Sequence, residues 1–168
     1  GLTLGLPVLV LLWLIVRWDT GSPLFRQQRV GRNKQAFVLL KFRTMKPDTT
    51  SVATHLVDKS AITPFGQFLR STKLDELPQL WNVVKGDMSL VGPRPERQYF
   101  INQIMERAGH YSHLQRIKPG ITSWGQVKYG YAENVDEMIQ RMKYDILYLE
   151  NMSLFVDFKI LIYTVLIV

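Results

Sequence analysis

The sequence predicts an α+β fold, mainly helical, with a short β-hairpin and a few small strands. Three observations carry that expectation. Leu24–Val30 and Ala36–Arg43 are short, strand-like runs separated by the turn Gly31-Arg32-Asn33-Lys34, which reads as a hairpin. Val135–Leu149 is amphipathic with helical spacing. Thr63-Pro64, Gly86 and Ser153 supply start and stop signals for further helices. At 168 residues, 46% hydrophobic and 21% charged, the chain can bury a real core, and bulk disorder is excluded. It has no cysteine, which rules out disulfide frameworks, cysteine zinc sites and thiol nucleophiles.

The first element is apolar. Residues 1–16 carry no charge, and Arg17, Trp18 and Asp19 close the run with interfacial residue types. A secretory signal is excluded, because a basic leading region and a small-residue cleavage site are both missing. A spanning helix needs about 20 apolar residues, more than this run offers. A buried core helix remains open, as does a broken helix that dips into a bilayer and returns. Pro7, with Gly1 and Gly5 ahead of it, should kink or interrupt the helix. The run begins mid-pattern without an initiator Met, as expected of a fragment of a longer apolar segment.

Gly21-Ser22-Pro23 ends that helix, and the hairpin follows. Lys46–Thr63 is polar and rich in Ser and Thr, so a loop is expected. The helix starting at Pro64 turns Phe65, Phe68 and Leu69 to one face. Leu74–Val84 reads as a helix stopped by Gly86, and Met88–Val91 as a short strand before Gly92-Pro93-Arg94-Pro95. Glu96–Leu114 reads as a helix, Lys118-Pro119-Gly120 as a turn and Ile121–Val127 as a strand. Ser153 can cap a last helix running to Val168, which is apolar apart from Asp157 and Lys159. Core packing is the ordinary reading of that helix; a membrane-facing role would suit the first segment better.

The placement of charge narrows the function class. Residues 1–47 hold eight basic groups and one acid, Asp19, so they carry the whole net charge of +7; the remaining 13 basic and 13 acidic residues cancel. A cationic region joined to an apolar segment reads as a membrane-surface contact. Nucleic-acid binding ranks second, because stacking aromatics are not interleaved with these charges.

Lys73-Leu74-Asp75-Glu76-Leu77-Pro78 is the most suggestive stretch for chemistry. Pro78 belongs in a first helical turn, which sets Asp75 and Glu76 at or just before a helix N-terminus. Acids there ordinarily cap the helix and complement its dipole. Arg70 and Lys73 lie within one turn upstream, and Arg94 follows on a stiff Pro-Arg-Pro turn. Cations beside a helix start favour phosphate. A carboxylate held there can attack phosphorus or bind Mg²⁺, and two adjacent ones can divide those roles. His110 and His113 lack a third ligand and read as surface residues.

Taken in order, Pro23-Leu24-Phe25 with Gln28, Arg29 and Gly31, then Lys41-Phe42-Arg43-Thr44-Met45, then Leu74–Val83, then Lys85–Pro95, then Lys118-Pro119-Gly120-Ile121-Thr122 resemble the bacterial sugar transferase family, the monotopic phosphoglycosyl transferases. The resemblance runs from about Pro7 to about Val168. It implies transfer of sugar-1-phosphate from a UDP-sugar to a polyprenyl (undecaprenyl) phosphate, with release of UMP, as the first membrane step of bacterial glycan synthesis. It implies Asp75 as the nucleophile that forms a covalent phosphosugar intermediate, and Glu76 beside it as the residue that binds Mg²⁺. It nominates Arg94 as a phosphate or nucleotide contact, with Lys41, Arg43 and Arg70 as further phosphate contacts and Asp145 as a residue reaching the nucleotide. It implies a re-entrant membrane helix over residues 1–20, broken at Pro7, and a catalytic domain over 21–168 with interfacial amphipathic helices, at the cytoplasmic face of the bacterial inner membrane. The implied partners are the two substrates and the phospholipid bilayer, with no nucleic acid and with room for a homo-oligomer. Ser123 and Gly125 stand where the family usually has Gly and Ala. A catalytically decayed, membrane-associated scaffold is therefore the alternative expectation.

Overall fold

A computed structural model of the chain describes residues 2–46 and 59–167. Among the described residues the architecture is mixed and mainly helical, with two small sheets. Its elements are α1 (Leu2–Thr20), β1 (Leu24–Val30), β2 (Ala36–Phe42), α2 (Pro64–Ser71), α3 (Gln79–Lys85), β3 (Ser89–Val91), α4 (Gln98–Arg107), β4 (Gly120–Thr122), α5 (Trp124–Lys128), α6 (Val135–Glu150) and α7 (Leu154–Ile167). Two compact units form: Gly1–Gln27 with Leu40–Trp81, and Gln28–Leu39 with Asn82–Val168. β1 and β2 pair as the expected hairpin, closed by a tight turn in which Asn33 and Lys34 take positive φ.

In the first unit, α1 turns Leu12, Val16 and Thr20 inward, residues four apart and so on one face. Leu12 and Val16 join Phe42 and Leu69 in a core, with Leu9, Leu24, Phe65, Leu74 and Leu77 packed around them. Burying each such side chain contributes roughly 1.5–3 kcal/mol. The outer face of α1 stays apolar and exposed at Val10, Leu11, Leu14 and Trp18. The helical run is continuous from Leu2 to Thr20 with Pro7 inside it, so Pro7 does not interrupt the run. Little more than one turn precedes Pro7, so the missing N–H and the ring disturb only the helix start. Among the described residues no helix is long and apolar enough to cross a membrane.

α2 starts where Thr63-Pro64 places it. The Thr63 hydroxyl accepts from Gly66 N at 2.9 Å and donates to Asp19 Oδ2 at 2.5 Å, tying the helix start to the end of α1. Gly66 is required by closeness: a Cβ there would lie 2.1 Å from the Thr44 carbonyl oxygen. Phe68, expected on the apolar face, is half-exposed and stacks on Phe65. Most of the loop expected over 46–63 lies outside the described residues; at its ends Met45 and Ile62 form an antiparallel bridge.

In the second unit, β3 and β4 pair in parallel, Ser89 opposite Gly120 and Val91 opposite Thr122. Gly92 and Gly120 permit this approach, since a Cβ on either would meet backbone within 2.5 Å. One core joins Val30 to Ile101, Ile104, Tyr111, Leu114, Met138 and Met142; a second joins Val91, Tyr148 and Ile160. Two expectations need correction here. The helix expected over Glu96–Leu114 is split at Ala108, whose backbone leaves helical geometry before a 3-10 stretch over Gly109–Arg116. The strand expected over Ile121–Val127 ends at Thr122, because the Ser123 hydroxyl accepts from Gln126 N at 3.0 Å and starts α5. Ser123 is thus a helix cap. Gly125 leaves room for Arg141, whose Cγ would sit 2.8 Å from an added Cβ.

Candidate active site

The continuous helix expected over Leu74–Val84 is two pieces, a 3-10 turn at Leu74–Glu76 and then α3, with Pro78 between them. Pro78 cannot donate, so the chain tightens ahead of it. Lys73 enters the turn with φ 58°, a left-handed conformation that a side chain rarely adopts. This strained corner presents Asp75 and Glu76 side by side, directly after the end of α2.

Asp75 is buried, and its Oδ1 has no hydrogen-bond partner among the described residues. Burial pushes its carboxyl above the usual range; Lys41, Lys73 and Arg70 pull it down, and the Glu76 charge adds to the rise. Glu76 accepts from Lys41 Nζ at 2.6 Å, both groups being mostly sheltered from solvent. Arg70 donates from Nε to Thr44 Oγ1 at 2.8 Å, which fixes its guanidinium against the end of the hairpin. The result is a carboxylate with an unused oxygen, ringed by three cations and flanked by a second carboxylate that is already paired. Such a group suits nucleophilic attack on phosphorus: poorly solvated when ionised, and placed where a phosphate is attracted.

The donor set also suits a hard divalent cation. Mg²⁺ commonly takes one or two carboxylates and completes its shell with water and substrate phosphates. Asp75 Oδ1 and Glu76 meet that requirement, although no group of three or more His, Asp or Glu side chains that could hold a metal occurs among the described residues.

The other expected site residues sit on other elements. Arg43 follows β2, and its guanidinium lies 5.9 Å from the Phe25 ring centroid. Arg94 belongs to the second unit, on a turn braced at both ends. Pro93 O accepts from Gly120 N at 3.0 Å, and Pro95 O accepts from Arg29 Nη1 at 3.0 Å. Glu96 then clamps Arg141 at 2.5 Å and Arg29 at 3.4 Å. Asp145, expected to reach the nucleotide, lies in the second unit. It is buried at 3% exposure and its Oδ1 accepts from Gly125 N at 2.8 Å, so it holds the start of α5. Burial raises its pKa to about 6, against the Gly125 N–H, Arg141 and Ser123. Sequence reasoning missed Thr44 and the Glu96–Arg29–Arg141 clamp. Thr44 was visible in the Lys41–Met45 motif, whereas the clamp joins residues too distant in sequence to signal each other.

The first unit thus sets two adjacent carboxylates, Asp75 and Glu76, among the cations Lys41, Lys73 and Arg70. Comparison with known proteins gives the class: the family model for bacterial sugar transferases matches residues 1–168, and the chain belongs to that family. It is 33% identical over 162 residues to a UDP-N-acetylgalactosamine-undecaprenyl-phosphate N-acetylgalactosaminephosphotransferase of Aeromonas hydrophila, a match covering 95% of this chain and 38% of that protein. It is 40% identical over 152 residues to the uncharacterized sugar transferase EpsL of Bacillus subtilis, covering 90% of this chain and 72% of EpsL. It is 40% identical over 164 residues to a UDP-glucose:undecaprenyl-phosphate glucose-1-phosphate transferase of Caulobacter vibrioides, covering 95% and 61%. The chain therefore spans well under half of the Aeromonas relative's length.

Proposed function

We propose that this protein transfers sugar-1-phosphate from a UDP-sugar to undecaprenyl phosphate at the cytoplasmic face of a bacterial inner membrane. The buried Asp75 carboxylate, with its unpaired oxygen beside the Lys41–Glu76 pair, carries the reading. The reactions named for the Aeromonas and Caulobacter relatives support it.

In the proposed reaction an Asp75 oxygen attacks the phosphorus that bears the sugar. A carboxylate–phosphorus bond forms, the bond to the bridging oxygen breaks, and UMP leaves with that oxygen. The lipid phosphate oxygen then attacks the same phosphorus and returns the carboxylate. Splitting the transfer means that two anionic substrates need not meet at once. Lys41 keeps Glu76 oriented and offsets its charge. Arg70, held by Thr44, and Lys73 attract the diphosphate, and Arg94 is proposed as a further phosphate contact. Glu76 would hold Mg²⁺, which supplies charge neutralisation for a diphosphate.

The experiment is UMP release by detergent-purified protein supplied with Mg²⁺, undecaprenyl phosphate and a panel of UDP-sugars. Release with one sugar, lost in Asp75→Asn and reversibly lost on chelation, is expected. Labelled sugar phosphate should remain on the protein when the acceptor is left out. Full activity of Asp75→Asn would overturn the nucleophile, and no release from any sugar would favour a scaffold that keeps the fold without the chemistry.

A further inference from the structure

The Gly92–Glu96 arch that carries Arg94 has few donors of its own. Pro93 and Pro95 lack an N–H, and their rings fix φ at about −65° on either side of Arg94. A proline ring leaves ψ open, so the peptide planes that follow Pro93 and Pro95 have to be set from outside, through their carbonyls. Gly120 N donates to Pro93 O and Arg29 Nη1 to Pro95 O, each at 3.0 Å. Gly92 N donates to Thr122 O at 3.1 Å where the arch begins, and Val30 N to Glu96 O at 3.1 Å where it ends. From Gly92 to Glu96 only Arg94 is not buried. Its side chain is the part of the arch that a ligand can meet.

Three of these four bonds join backbone to backbone and need no particular side chain. The fourth depends on Arg29, in β1. The same Nη1 nitrogen faces Glu96 Oε2 at 3.4 Å, and the other Glu96 oxygen accepts from Arg141 of α6. The contacts therefore run from Arg141 through Glu96 and Arg29 to Pro95 O, all within the second unit. The side chains of Glu96 and Arg141 are 7% and 8% exposed, and that of Arg29 15%. Taking three charges out of water is expensive, and apolar side chains of similar volume commonly hold a fold at least as well. Stability is therefore a weak reason for charge here. What a guanidinium supplies and a leucine cannot is a donor aimed in a fixed direction.

We propose that Arg29, held by Glu96 and through it by Arg141, is a positioning residue for Arg94. Its bond to Pro95 O fixes the peptide plane that leaves the arch, and with it the direction in which the Arg94 guanidinium meets the diphosphate of the nucleotide sugar. An arch free to swivel would have to be ordered at each binding event, whereas a braced one meets the phosphates already set. Arg29 acts only through Arg94, and so depends on the phosphate contact proposed above for that residue.

The test is a double-mutant cycle read on nucleotide binding, apart from turnover. Full-length protein in detergent with Mg²⁺ is titrated calorimetrically with UDP. Arg94→Met is expected to weaken UDP about tenfold, the loss of one charge-assisted contact. Arg29→Met, which keeps the Glu96–Arg141 pair, is expected to weaken it by about as much. The double variant should bind about as weakly as Arg94→Met alone, because Arg29 then has nothing left to position. Losses that multiply to about a hundredfold would mean that Arg29 acts independently of Arg94, and would overturn the proposal. Arg29→Lys keeps a charged donor and should restore UDP affinity to within about threefold of the parent, an effect that a purely space-filling role would not give. Should Arg29→Met fail to fold, the lysine variant carries the cycle: its small loss should vanish in the Arg94→Met background. Unchanged affinity in a folded Arg29→Met beside a loss in Arg94→Met overturns the positioning role and leaves the transfer reaction untouched. Unchanged affinity in Arg94→Met overturns the phosphate contact and the positioning together. The expected cycle in a protein that releases no UMP from any UDP-sugar would sink the transfer reaction and leave the positioning standing.

Discussion

Asp75 carries a cost that its neighbours only partly offset. A carboxylate buried with an unused oxygen prefers its neutral form, which is why its pKa rises. The sign follows from linkage. A carboxyl whose folded pKa exceeds its unfolded value contributes stability fully present below the unfolded value and lost as pH rises through the folded one. At neutral pH the ionised group therefore weighs against folding. Asp75→Asn is expected to abolish UMP release and yet raise the melting temperature. Calorimetric melting at pH 7.5 checks this; a lower melting temperature would mean that Asp75 is a structural anchor. As nucleophile, Asp75 must be ionised, so single-turnover transfer should climb with pH through its raised pKa and then level. The dyad was legible in the sequence because its residues are adjacent and Pro78 marks where helix must begin. Its burial was not, because that depends on Leu74 and Leu77 packing against residues far along the chain.

At the scale of elements, the joint between α2 and the end of the hairpin holds Arg70 and the dyad in register. Backbone meets backbone there: Thr63 N donates to Thr44 O at 3.1 Å, and Gly66 lies against the same carbonyl. Gly66→Ala puts a methyl 2.1 Å from that oxygen, and a carbonyl already engaged cannot yield cheaply. The substitution is expected to cost upwards of about 2 kcal/mol, read as a lower denaturation midpoint with an unchanged slope. Thr63→Ala removes the cap and should cost about 1 kcal/mol. The contrast shows what a sequence discloses about elements. Thr63-Pro64 announced the start of α2, Gly31–Lys34 the hairpin turn, and Val135–Leu149 a helix that the structure runs to Glu150. The same propensities misplaced α5. Trp124 and Val127 read as strand, but a buried serine at the helix start and an aspartate reaching Gly125 N twenty residues away favour helix instead. Local pattern loses where a long-range hydrogen bond decides the backbone. Pro7 is the opposite case: the rule that proline interrupts a helix yields near a helix start, where few bonds remain to be lost.

For the molecule as a whole, two charge features make separable predictions. Asp145, with its pKa raised to about 6 by burial, favours folding in its neutral form. Its contribution is complete below the unfolded value near 3.9 and lost as pH rises through about 6, amounting to at most about 3 kcal/mol. Stability should therefore fall between pH 4 and 6.5 by more in the parent chain than in Asp145→Asn, which keeps an acceptor for Gly125 N but does not titrate. Equal pH slopes in the two chains would remove Asp145 as the source.

The second feature is the +7 carried by residues 1–47 beside apolar surface. α1 exposes Leu11, Leu14 and Trp18; α7 exposes Leu154, Phe155, Phe158, Ile162, Val165 and Leu166. Apolar exposure on this scale is unusual in a soluble monomer and usual at a bilayer or protein interface. Lys128 stands over the Trp124 and Tyr163 rings and Lys159 near Trp124, an arrangement of cations and amphipathic aromatics that suits a headgroup layer. If apolar burial alone holds the protein to lipid, cosedimentation with vesicles will be indifferent to lipid charge and to salt. If the basic segment lies at the surface, each near-surface Lys or Arg adds roughly 1 kcal/mol on anionic lipid. Raising salt from about 0.05 to 0.5 M should then weaken binding to phosphatidylglycerol vesicles steeply, as the screening length shrinks to a few ångströms. Neutral vesicles should show the salt-independent remainder. Replacing Arg26, Arg32 and Lys34 together with Gln should reduce the salt-sensitive part and leave the remainder untouched, whereas Phe155→Ser with Phe158→Ser should do the reverse. Salt-insensitive binding to anionic vesicles would place the basic segment away from the lipid and leave its charge to the phosphates of the substrates alone.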